Sequence, residues 1–253
     1  MEYFMHKYTA VISEMAHMAV PTLSESFDVL LLPADETLDI PVRCHADMIL
    51  FTLGGKAVLP QTYAEIYPSI TSSLSSMGLE IIFDPSKRSC DYPHDVGLNV
   101  LLCDSTAFSL KEYTSDCVKE LLRENGLRHV NVKQGYAACS ALSLGNAVIT
   151  ADRGIEKAAR EEGLDTLLIT KGYVNIDGYG EGFIGGASGV CEKCVYFLGN
   201  IDTHPDGEKI RAFLKRRGFE CVSLFEGELC DFGGIKFLRN KPHASENRTV
   251  QLP

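Results

Sequence analysis

One short stretch of the sequence carries residue types that can bind a small cation and move its protons. His45 and Asp47 are separated by one residue, and an apolar run follows them as far as Phe51. A carboxylate holds a planar cation through paired N–H bonds, and a nearby imidazole moves protons during addition and release. On a strand, positions 45 and 47 point to the same side, so we expect both side chains to face one pocket. An ion pair between Arg43 and Asp47 would explain the same residues without any chemistry.

The best candidate nucleophile in the sequence is Cys139, which is followed by Ser140. A thiolate that faces a pocket beside an imidazole is a strong nucleophile. Small neighbours leave room for a ligand, namely Gly135, Ala137 and Ala138. The alternative is a buried cysteine that acts only as a small hydrophobic residue, which is the commoner case. Cys230 and Cys44 are weaker candidates, because on a strand Cys44 would point away from both of its neighbours.

Further polar residues precede or open apolar stretches at comparable places along the chain. They are Arg43, His94, Asp95, Asn99, Ser188 and Asp231. If those stretches line a central channel, the side chains form a ring of donors and acceptors around one pocket. Buried hydrogen bonds that tie structural elements together would give the same pattern. Lys236 is either a ligand-binding cation or an ion-pair partner of Asp231. We predict ligand-binding roles for Arg43, Asn99, Ser140, Ser188, Asp231 and Lys236.

A repeated pattern of a glycine, an apolar residue and alternating strand-like residues predicts the elements that position these side chains. It begins at Gly78, Gly126, Gly163 and Gly218, and a copy over 27–32 lacks only the glycine. Each copy follows a helix-like stretch, and such a glycine lets a helix end in the left-handed conformation before a strand begins. Regular recurrence of this kind is typical of stacked units and propellers.

Each repeat is predicted to contain a strand, a strand, a helix and a strand. The chain then forms a single α/β domain in which the first repeat is completed by the C-terminal segment, which closes a ring without sheet edges. The predicted repeats are 10–33 plus 231–238, 43–84, 95–133, 135–170 and 182–224, with a polar tail over 239–253. The alternative is an open sheet with a Rossmann-like site. Its nearest glycine-rich stretch, 178–182, lacks the required spacing and leads into a strand.

Composition limits the classes of partner. The 253 residues carry a formal net charge of -10, which argues against binding to nucleic acid. We expect no signal peptide and no membrane association, because polar residues interrupt the N-terminal apolar stretch. Nine cysteines, an odd number, favour free thiols in a reducing cytoplasm. Cys191 and Cys194 have the spacing of half a zinc site without a second pair, so we predict no metal and no other cofactor.

The repeat layout over residues 10–238 resembles the pentein fold, the five-bladed α/β propeller of guanidino-group-modifying enzymes. Arginine and agmatine deiminases, dimethylarginine hydrolase and amidinotransferases share that fold. The ribosome anti-association factor of archaea and eukaryotes is a relative that is not an enzyme. His45 and Asp47 resemble the His-x-Asp motif that these enzymes carry at the start of a blade.

The resemblance implies a hydrolase or transferase that acts on a guanidino or amidino small molecule in a central pore. His45 would be the proton carrier, Asp47 the substrate anchor and Cys139 a relocated nucleophile. We therefore predict that Arg43, His45, Asp47 and Cys139 face one cavity. The family places its cysteine in the last blade after a glycine-rich turn, whereas this sequence has Lys236 and Phe237 there. The alternative is therefore a pentein without catalytic activity that binds a small molecule or a protein partner. The oligomeric state is not predicted.

Overall fold

The computed structural model describes residues 6–241, in which fifteen strands form five three-stranded sheets. The strands are β1 (Tyr8–Ser13), β2 (Asp28–Leu32), β3 (Phe51–Leu53), β4 (Lys56–Pro60), β5 (Glu80–Asp84), β6 (Leu101–Cys103), β7 (Thr106–Ser109), β8 (Arg128–Asn131), β9 (Ala141–Ser143), β10 (Ala147–Thr150), β11 (Asp165–Leu168), β12 (Ser188–Cys191), β13 (Cys194–Phe197), β14 (Glu220–Ser223) and β15 (Lys236–Arg239). The helices are α1 (Val20–Leu23), α2 (Ala46–Ile49), α3 (Gln61–Ile66), α4 (Pro68–Ser76), α5 (Asp116–Glu124), α6 (Ala137–Ser140), α7 (Arg153–Glu161) and α8 (Gly207–Arg216), and Glu14–Ala19 and Ile201–Thr203 are 3-10 helices.

All five sheets are built in the same way. The middle strand pairs antiparallel with the first strand and parallel with the third, as in the sheet β3–β4–β5. The sheets β6–β7–β8, β9–β10–β11 and β12–β13–β14 repeat this order. The helix before each third strand provides the crossover that a parallel pair needs. The predicted repeat of strand, strand, helix and strand is confirmed, and the open Rossmann-like sheet is wrong.

The fifth sheet joins the two ends of the chain. β15 pairs antiparallel with β1, with Tyr8 opposite Arg239 and Val11 opposite Lys236, and β1 pairs parallel with β2. The predicted closure by N- and C-terminal segments is confirmed. Within the predicted tail, Arg239 is the last residue of β15, Asn240 is buried directly after the strand, and Lys241 is exposed. The rest of that tail, 242–253, lies outside the described residues.

Local signals in the sequence explain where helices begin and end. Ser115 accepts a hydrogen bond from the main-chain N–H of Cys117 at the start of α5, and Asp152 accepts one from Ile155 at the start of α7. Each satisfies a backbone donor that the helix itself leaves unpaired. The four repeat glycines end their helices with φ between 68° and 99°, the left-handed region that we predicted; they are Gly78, Gly126, Gly163 and Gly218.

The first strands begin later than the apolar pattern predicts. Met48 lies in the single-turn helix α2, and β3 begins only at Phe51. Cys139 lies in the equivalent short helix α6, and β9 begins at Ala141. His45 is the residue that precedes α2, so the prediction that positions 45 and 47 alternate along one strand is wrong. A run of apolar residues does not separate a buried helical turn from a strand.

The first strands of all five sheets line one axial cavity of about 220 Å³. Its lining includes one residue or more from each of β3, β6, β9, β12 and β15, for example Thr52, Leu102, Leu142, Gly189 and Lys236. The first strands therefore surround a common axis. Apolar clusters fill the space between neighbouring sheets, where side chains such as Tyr63 and Phe108 are fully buried. No helix among residues 6–241 is long and apolar enough to cross a bilayer.

The closing sheet depends on the buried amide of Asn240. This amide accepts a hydrogen bond from Thr9 Oγ1 at 2.9 Å and donates to the main-chain oxygen of His6 at 2.8 Å and to Asp28 Oδ2 at 3.1 Å. We expect Asn240→Ala to lower the free energy of unfolding by about 1–3 kcal/mol, because it leaves buried polar groups unpaired. The exposed neighbour provides the control: Arg239→Ala should change it by less than about 0.5 kcal/mol. Urea unfolding measures both, and equal losses would contradict the prediction.

Candidate functional site

Five polar side chains from four separate segments meet near the axis and are called here the buried cluster. They are His45, Asp47, Asn99, Cys139 and Asp231. His45 and Asp47 come from the start of α2, and Cys139 comes from α6. Asn99 precedes β6 and Asp231 precedes β15. Within the described chain, the sequence analysis therefore named every member of a cluster that only the fold assembles.

The thiol of Cys139 lies directly against the carboxyl group of Asp47. Cys139 Sγ is 2.7 Å from Asp47 Oδ2, which places the thiol proton on a path to the carboxylate. Asn99 fixes the thiol from the other side, because its Nδ2 lies 3.1 Å from the sulfur. Its Oδ1 accepts a hydrogen bond of 2.7 Å from the main-chain N–H of Ala138. Asn99 is thus held by α6 while it orients the thiol.

His45 is neutral and has an unused ring nitrogen. Burial lowers the pKa of its imidazole to about 3, so the ring carries no charge at neutral pH. Its Nδ1 has no hydrogen-bond partner and lies 3.6 Å from Asp231 Oδ1. Asp47 Oδ1 is likewise buried without a partner. Buried polar atoms are nearly always paired in folded proteins, so these two atoms are the expected contacts of a bound molecule.

Two glycines allow the close packing around Asp231, and the sequence analysis named neither of them. A Cβ atom on Gly186 would lie 1.8 Å from Asp231 Oδ1, and one on Gly233 would lie 2.3 Å from His45 Cβ. Gly233 also has a φ of 77°, which side chains rarely adopt. Asp231 itself accepts hydrogen bonds from the main-chain N–H groups of Phe183 at 2.9 Å and Gly233 at 3.0 Å. The adjacent pairs Gly185–Gly186 and Gly233–Gly234 were the signal for this close approach.

The electrostatics of the cluster keep protons on it. Burial and the neighbouring Asp47 raise the pKa of Asp231 to about 8, and burial raises the pKa of Asp47 to about 6. Burial, Asp47 and Asp231 together raise the pKa of the Cys139 thiol well above its ordinary value. Lys236 opposes this, because its cation favours the charged forms of Asp47 and Cys139. Burial in turn lowers the pKa of Lys236. Without a ligand the site therefore holds a thiol rather than a thiolate.

His45, Asp47 and Cys139 also offer one nitrogen, one oxygen and one sulfur within 4.8 Å of one another. A zinc ion with ordinary bond lengths would hold its sulfur and oxygen ligands roughly 3.5 Å apart. The sulfur and oxygen here are 2.7 Å apart, so this conformation leaves no space for an ion between them. The distances fit a proton between thiol and carboxylate better than they fit a metal ion.

Four predicted ligand-binding residues lie outside the cluster, and one of them, Lys236, lines the axial cavity. Arg43 is exposed enough to form a surface ion pair of 3.0 Å with Glu36, so the predicted alternative of an Arg43–Asp47 pair is wrong. Ser188 Oγ donates to the main-chain oxygen of Ile184 at 2.7 Å and thereby caps its own turn. The Ser140 hydroxyl is buried without a hydrogen-bond partner, and it lines neither the axial cavity nor the surface cavity that contains Arg43 and His45.

The remaining candidates have structural contacts. His94 is exposed and packs edge-on against Tyr113, and Asp95 accepts a hydrogen bond of 2.6 Å from Tyr136. Cys44 was expected to point away from its neighbours, but it lines the same cavity as Arg43 and His45, because this segment is a turn and not a strand. Burial raises the pKa of Cys44 to about 11, so its thiol is protonated.

An entrance cavity of about 250 Å³ leads from the surface to one side of the cluster. His45 and Asp231 form its inner end, and Arg43 lies on its wall. Asp47 and Cys139 do not line it, and Cys139 is only 2% exposed. The prediction that Arg43, His45, Asp47 and Cys139 all face one cavity is therefore wrong for this conformation, because His45 and Asp231 lie in front of the other two side chains.

Five sheets around one axis, closed by the two chain ends, define the pentein fold, and solved structures of that class match the chain. DDAH from Pseudomonas aeruginosa, a mutant complexed with citrulline, aligns with a TM-score of 0.56 and 11% identity over 94% of this chain and 100% of that one. C. jejuni agmatine deiminase aligns with a TM-score of 0.54 and 10% identity over 87% of this chain and 88% of that one. SxtG, an amidinotransferase from Microseira wollei in the saxitoxin biosynthetic pathway, aligns with a TM-score of 0.53 and 12% identity over 90% of this chain and 81% of that one.

The chain belongs to the family of unknown function DUF6873, which matches residues 11–236. A comparison of the sequence with curated proteins gave no match. The match to the family covers all five members of the buried cluster. The structural likeness establishes the fold, while the low identities leave the activity to be argued from the site.

The raised pKa of Asp231 gives the folding stability a dependence on pH. An unfolded aspartate has a pKa of about 3.9, so folding takes up a proton between that value and about 8, and the free energy of unfolding falls as pH rises. His45 acts in the opposite sense, but only below about pH 6.5, where its unfolded form gains a proton. From pH 6.5 to 8 we expect a loss on the order of 1–2 kcal/mol.

Asp231→Asn should remove most of this slope, because an amide does not titrate. The exposed Asp177→Asn provides a matched control that should keep it. Urea unfolding at several pH values measures the slope. A loss of stability that is the same at every pH does not change this slope. A slope in Asp231→Asn as steep as in the wild type would show that Asp231 is not the titrating group.

Proposed function

We propose that this protein is a hydrolase of guanidino or amidino small molecules, with Cys139 as its nucleophile. The observation that carries the proposal is the 2.7 Å contact between Cys139 Sγ and Asp47 Oδ2, with a His45 nitrogen within 4.8 Å. This set supplies a nucleophile, a group that accepts its proton and a neutral imidazole for proton transfer. The nearest alternative within the same chemistry is a transferase, in which an amine replaces water as the acceptor.

The two carboxyl groups favour a cationic ligand. Asp47 and Asp231 are both buried, and Lys236 is the cation that acts on Asp47. Like charges at close range raise each other's pKa, whereas a bound cation favours the ionised forms. A guanidinium or amidinium group also presents several N–H donors in one plane, which suits the unpaired Asp47 Oδ1 and the acceptor nitrogen of neutral His45.

The ligand itself completes the activation of the thiol. The positive charge of the substrate lowers the pKa of Cys139 and of both carboxyl groups, so the thiol loses its proton only when there is an amidinium carbon to attack. Asp47 takes that proton over the 2.7 Å contact. Thiolate character, and not merely the presence of a cysteine, determines reactivity. An empty site would therefore react slowly with ordinary alkylating reagents.

The reaction balances with water as the second substrate. The sulfur of Cys139 forms a bond to the amidinium carbon, and one carbon–nitrogen bond breaks as the amine or ammonia leaves with a proton supplied from Asp47 through His45. Water, whose proton His45 accepts, then attacks the thiouronium carbon and the carbon–sulfur bond breaks. The thiol is restored and the product is a ureido compound, or an amide when the substrate is an amidine.

The substrate reaches Cys139 only after a side chain has moved. His45 and Asp231 stand between the entrance cavity and the thiol. A rotation of the His45 side chain opens this route, and its Nδ1 has no hydrogen bond to break. We place the reaction in the cytoplasm, where a reducing environment keeps the nine cysteines as thiols. Nucleic acid and membranes are not partners in this proposal.

A second candidate is a protein that binds the same class of cation without turnover. The 2% exposure of Cys139 and the lysine at position 236, where the resemblance places the family's nucleophile, favour it. The two candidates share a ligand and differ in chemistry, so one experiment separates them.

Labelling with 2-chloroacetamidine, an amidine that alkylates thiols, tests the proposal. We expect mass spectrometry of peptides to find Cys139 modified faster than the exposed Cys90, although Cys139 is buried, because the amidinium activates the thiol that it meets. Excess agmatine should suppress the labelling at Cys139 and leave that at Cys90 unchanged. Wild-type protein should then release amine from guanidino compounds, and Cys139→Ala should release none above background.

The control reagent is iodoacetamide, which has no charge and should prefer Cys90. Cys230→Ala controls for loss of a thiol near the site, and it should retain both labelling and turnover. If agmatine protects no cysteine and no compound is turned over, the hydrolase proposal is wrong. If agmatine binds but Cys139 remains unmodified, the binding protein is the correct reading.

Lys236 tests the electrostatic part of the proposal separately. Lys236→Met removes the cation that favours the charged forms of Asp47 and Cys139. A rise of one unit in the pKa of the thiol lowers its thiolate fraction about tenfold, so we expect alkylation of Cys139 to slow by about that factor. Lys241→Met, at an exposed position, is the control. An unchanged rate in Lys236→Met would show that the lysine does not act on the thiol.

A further inference from the structure

We infer that the entrance cavity selects guanidino or amidino compounds that carry a short, uncharged apolar arm. The inference rests on the proposed function for the charged head of the ligand and goes beyond it for the arm. The cavity is about 250 Å³, with His45 and Asp231 at its inner end and solvent at its outer end. A ligand whose head lies against Asp231 therefore points its other end along the cavity wall.

The apolar part of that wall comes from four separate segments. Met15 follows β1, Ile40 and Pro41 precede α2, Ile176 precedes β12, and Phe232 precedes β15. Ile40 is 75% exposed and Met15 is 56% exposed, which is unusual for large apolar side chains that converge on one cavity. An apolar arm would cover these side chains and remove them from water, at a gain of about 0.8 kcal/mol per buried CH₂.

The charges on the wall disfavour a carboxylate on that arm. The lining cation Arg43 is already paired with Glu36 at 3.0 Å, whereas the carboxyl group of Asp177 lines the same cavity. A carboxylate would have to displace Glu36 from Arg43 and would lie near Asp177. An ammonium group at the end of the arm would lose water against Met15 and Ile40, and the exposed Asp177 offers it only a solvent-screened ion pair in exchange, which is worth little.

The part of the arm that the cavity covers must also be short, because the two loops that form the outer wall are packed against each other. Tyr179 donates a hydrogen bond of 2.7 Å to Asp39 Oδ2, and a Cβ atom on Gly178 would lie 2.9 Å from Pro41 Cγ. The cavity volume lies below the roughly 300–1,000 Å³ of pockets for drug-sized ligands. An arm of about four carbon atoms suits this space.

Three compounds of matched length test the inference by isothermal titration calorimetry. Butylguanidine, agmatine and arginine share the guanidino head and four consecutive carbon atoms. The fourth carbon is a methyl group in butylguanidine, carries an ammonium group in agmatine, and carries both an ammonium and a carboxylate group in arginine. We expect butylguanidine to bind about tenfold more tightly than agmatine, and arginine to bind most weakly. Each titration is repeated with Cys139→Ala, in which no covalent step contributes heat.

Two pairs of exposed residues provide matched variants. Met15→Gln and Ile40→Asn alter the cavity wall. Each should weaken the binding of butylguanidine by about three- to tenfold and have little effect on the binding of arginine. Met18→Gln lies on the same 3-10 helix as Met15, and Ile66→Asn lies elsewhere on the surface; neither lines the cavity. Both controls are also exposed, at 47% and 65%, and should bind butylguanidine as the wild type does.

The outcomes separate this inference from the proposed function. Arginine that binds as tightly as butylguanidine, or unchanged binding in both wall variants, overturns the apolar arm even if arginine is turned over at Cys139. Butylguanidine binding that follows the expected series, without labelling or turnover at Cys139, supports the arm and overturns the hydrolase. Failure of all three compounds to bind overturns both.

Discussion

Two carboxyl groups buried in the same cluster determine the electrostatics of the rest of this site. Asp47 and Asp231 are removed from water, and each disfavours the ionisation of the other. Lys236 opposes this for Asp47, while neutral His45 adds no charge. The resting site consequently holds protons that the same side chains would lose in solution. In the proposed function, a cation that enters reverses this balance, so that ligand binding, loss of protons and activation of the thiol are parts of one event.

The fold tolerates this arrangement because rigid backbone surrounds it. Asp231 is held by two main-chain N–H groups, and Gly186 and Gly233 let the loops before β12 and β15 lie closer than any side chain would permit. β15, in turn, is fixed by its pairing with β1 at the other end of the chain. The position of Asp231 therefore depends on the closure of the ring, although the residue lies far from the N-terminus in sequence.

The repeated architecture allows the proposed nucleophile to come from a repeat other than the last one. α2 and α6 are equivalent short helices, each directly before the first strand of its sheet, and they supply Asp47 and Cys139 respectively. Equivalent positions in different repeats all approach the same axis. In the proposed function, Cys139 thus supplies from one repeat the nucleophile that the resemblance places in another, and Lys236 lies beside the axis as a cation.

The sequence by itself determined the repeat, the pairing of the chain ends and the residue types at the site. Those features depend on local physics: a glycine that ends a helix, an apolar period and polar residues before apolar stretches. Only the tertiary structure decided that His45 and Asp47 leave a helical turn, that Cys139 meets Asp47 and that Arg43 stays at the surface beside Glu36. The direction of a side chain beside a short apolar run depends on packing against distant segments, as does the electrostatic effect of burying two carboxyl groups together, and neither is encoded in the spacing of residues.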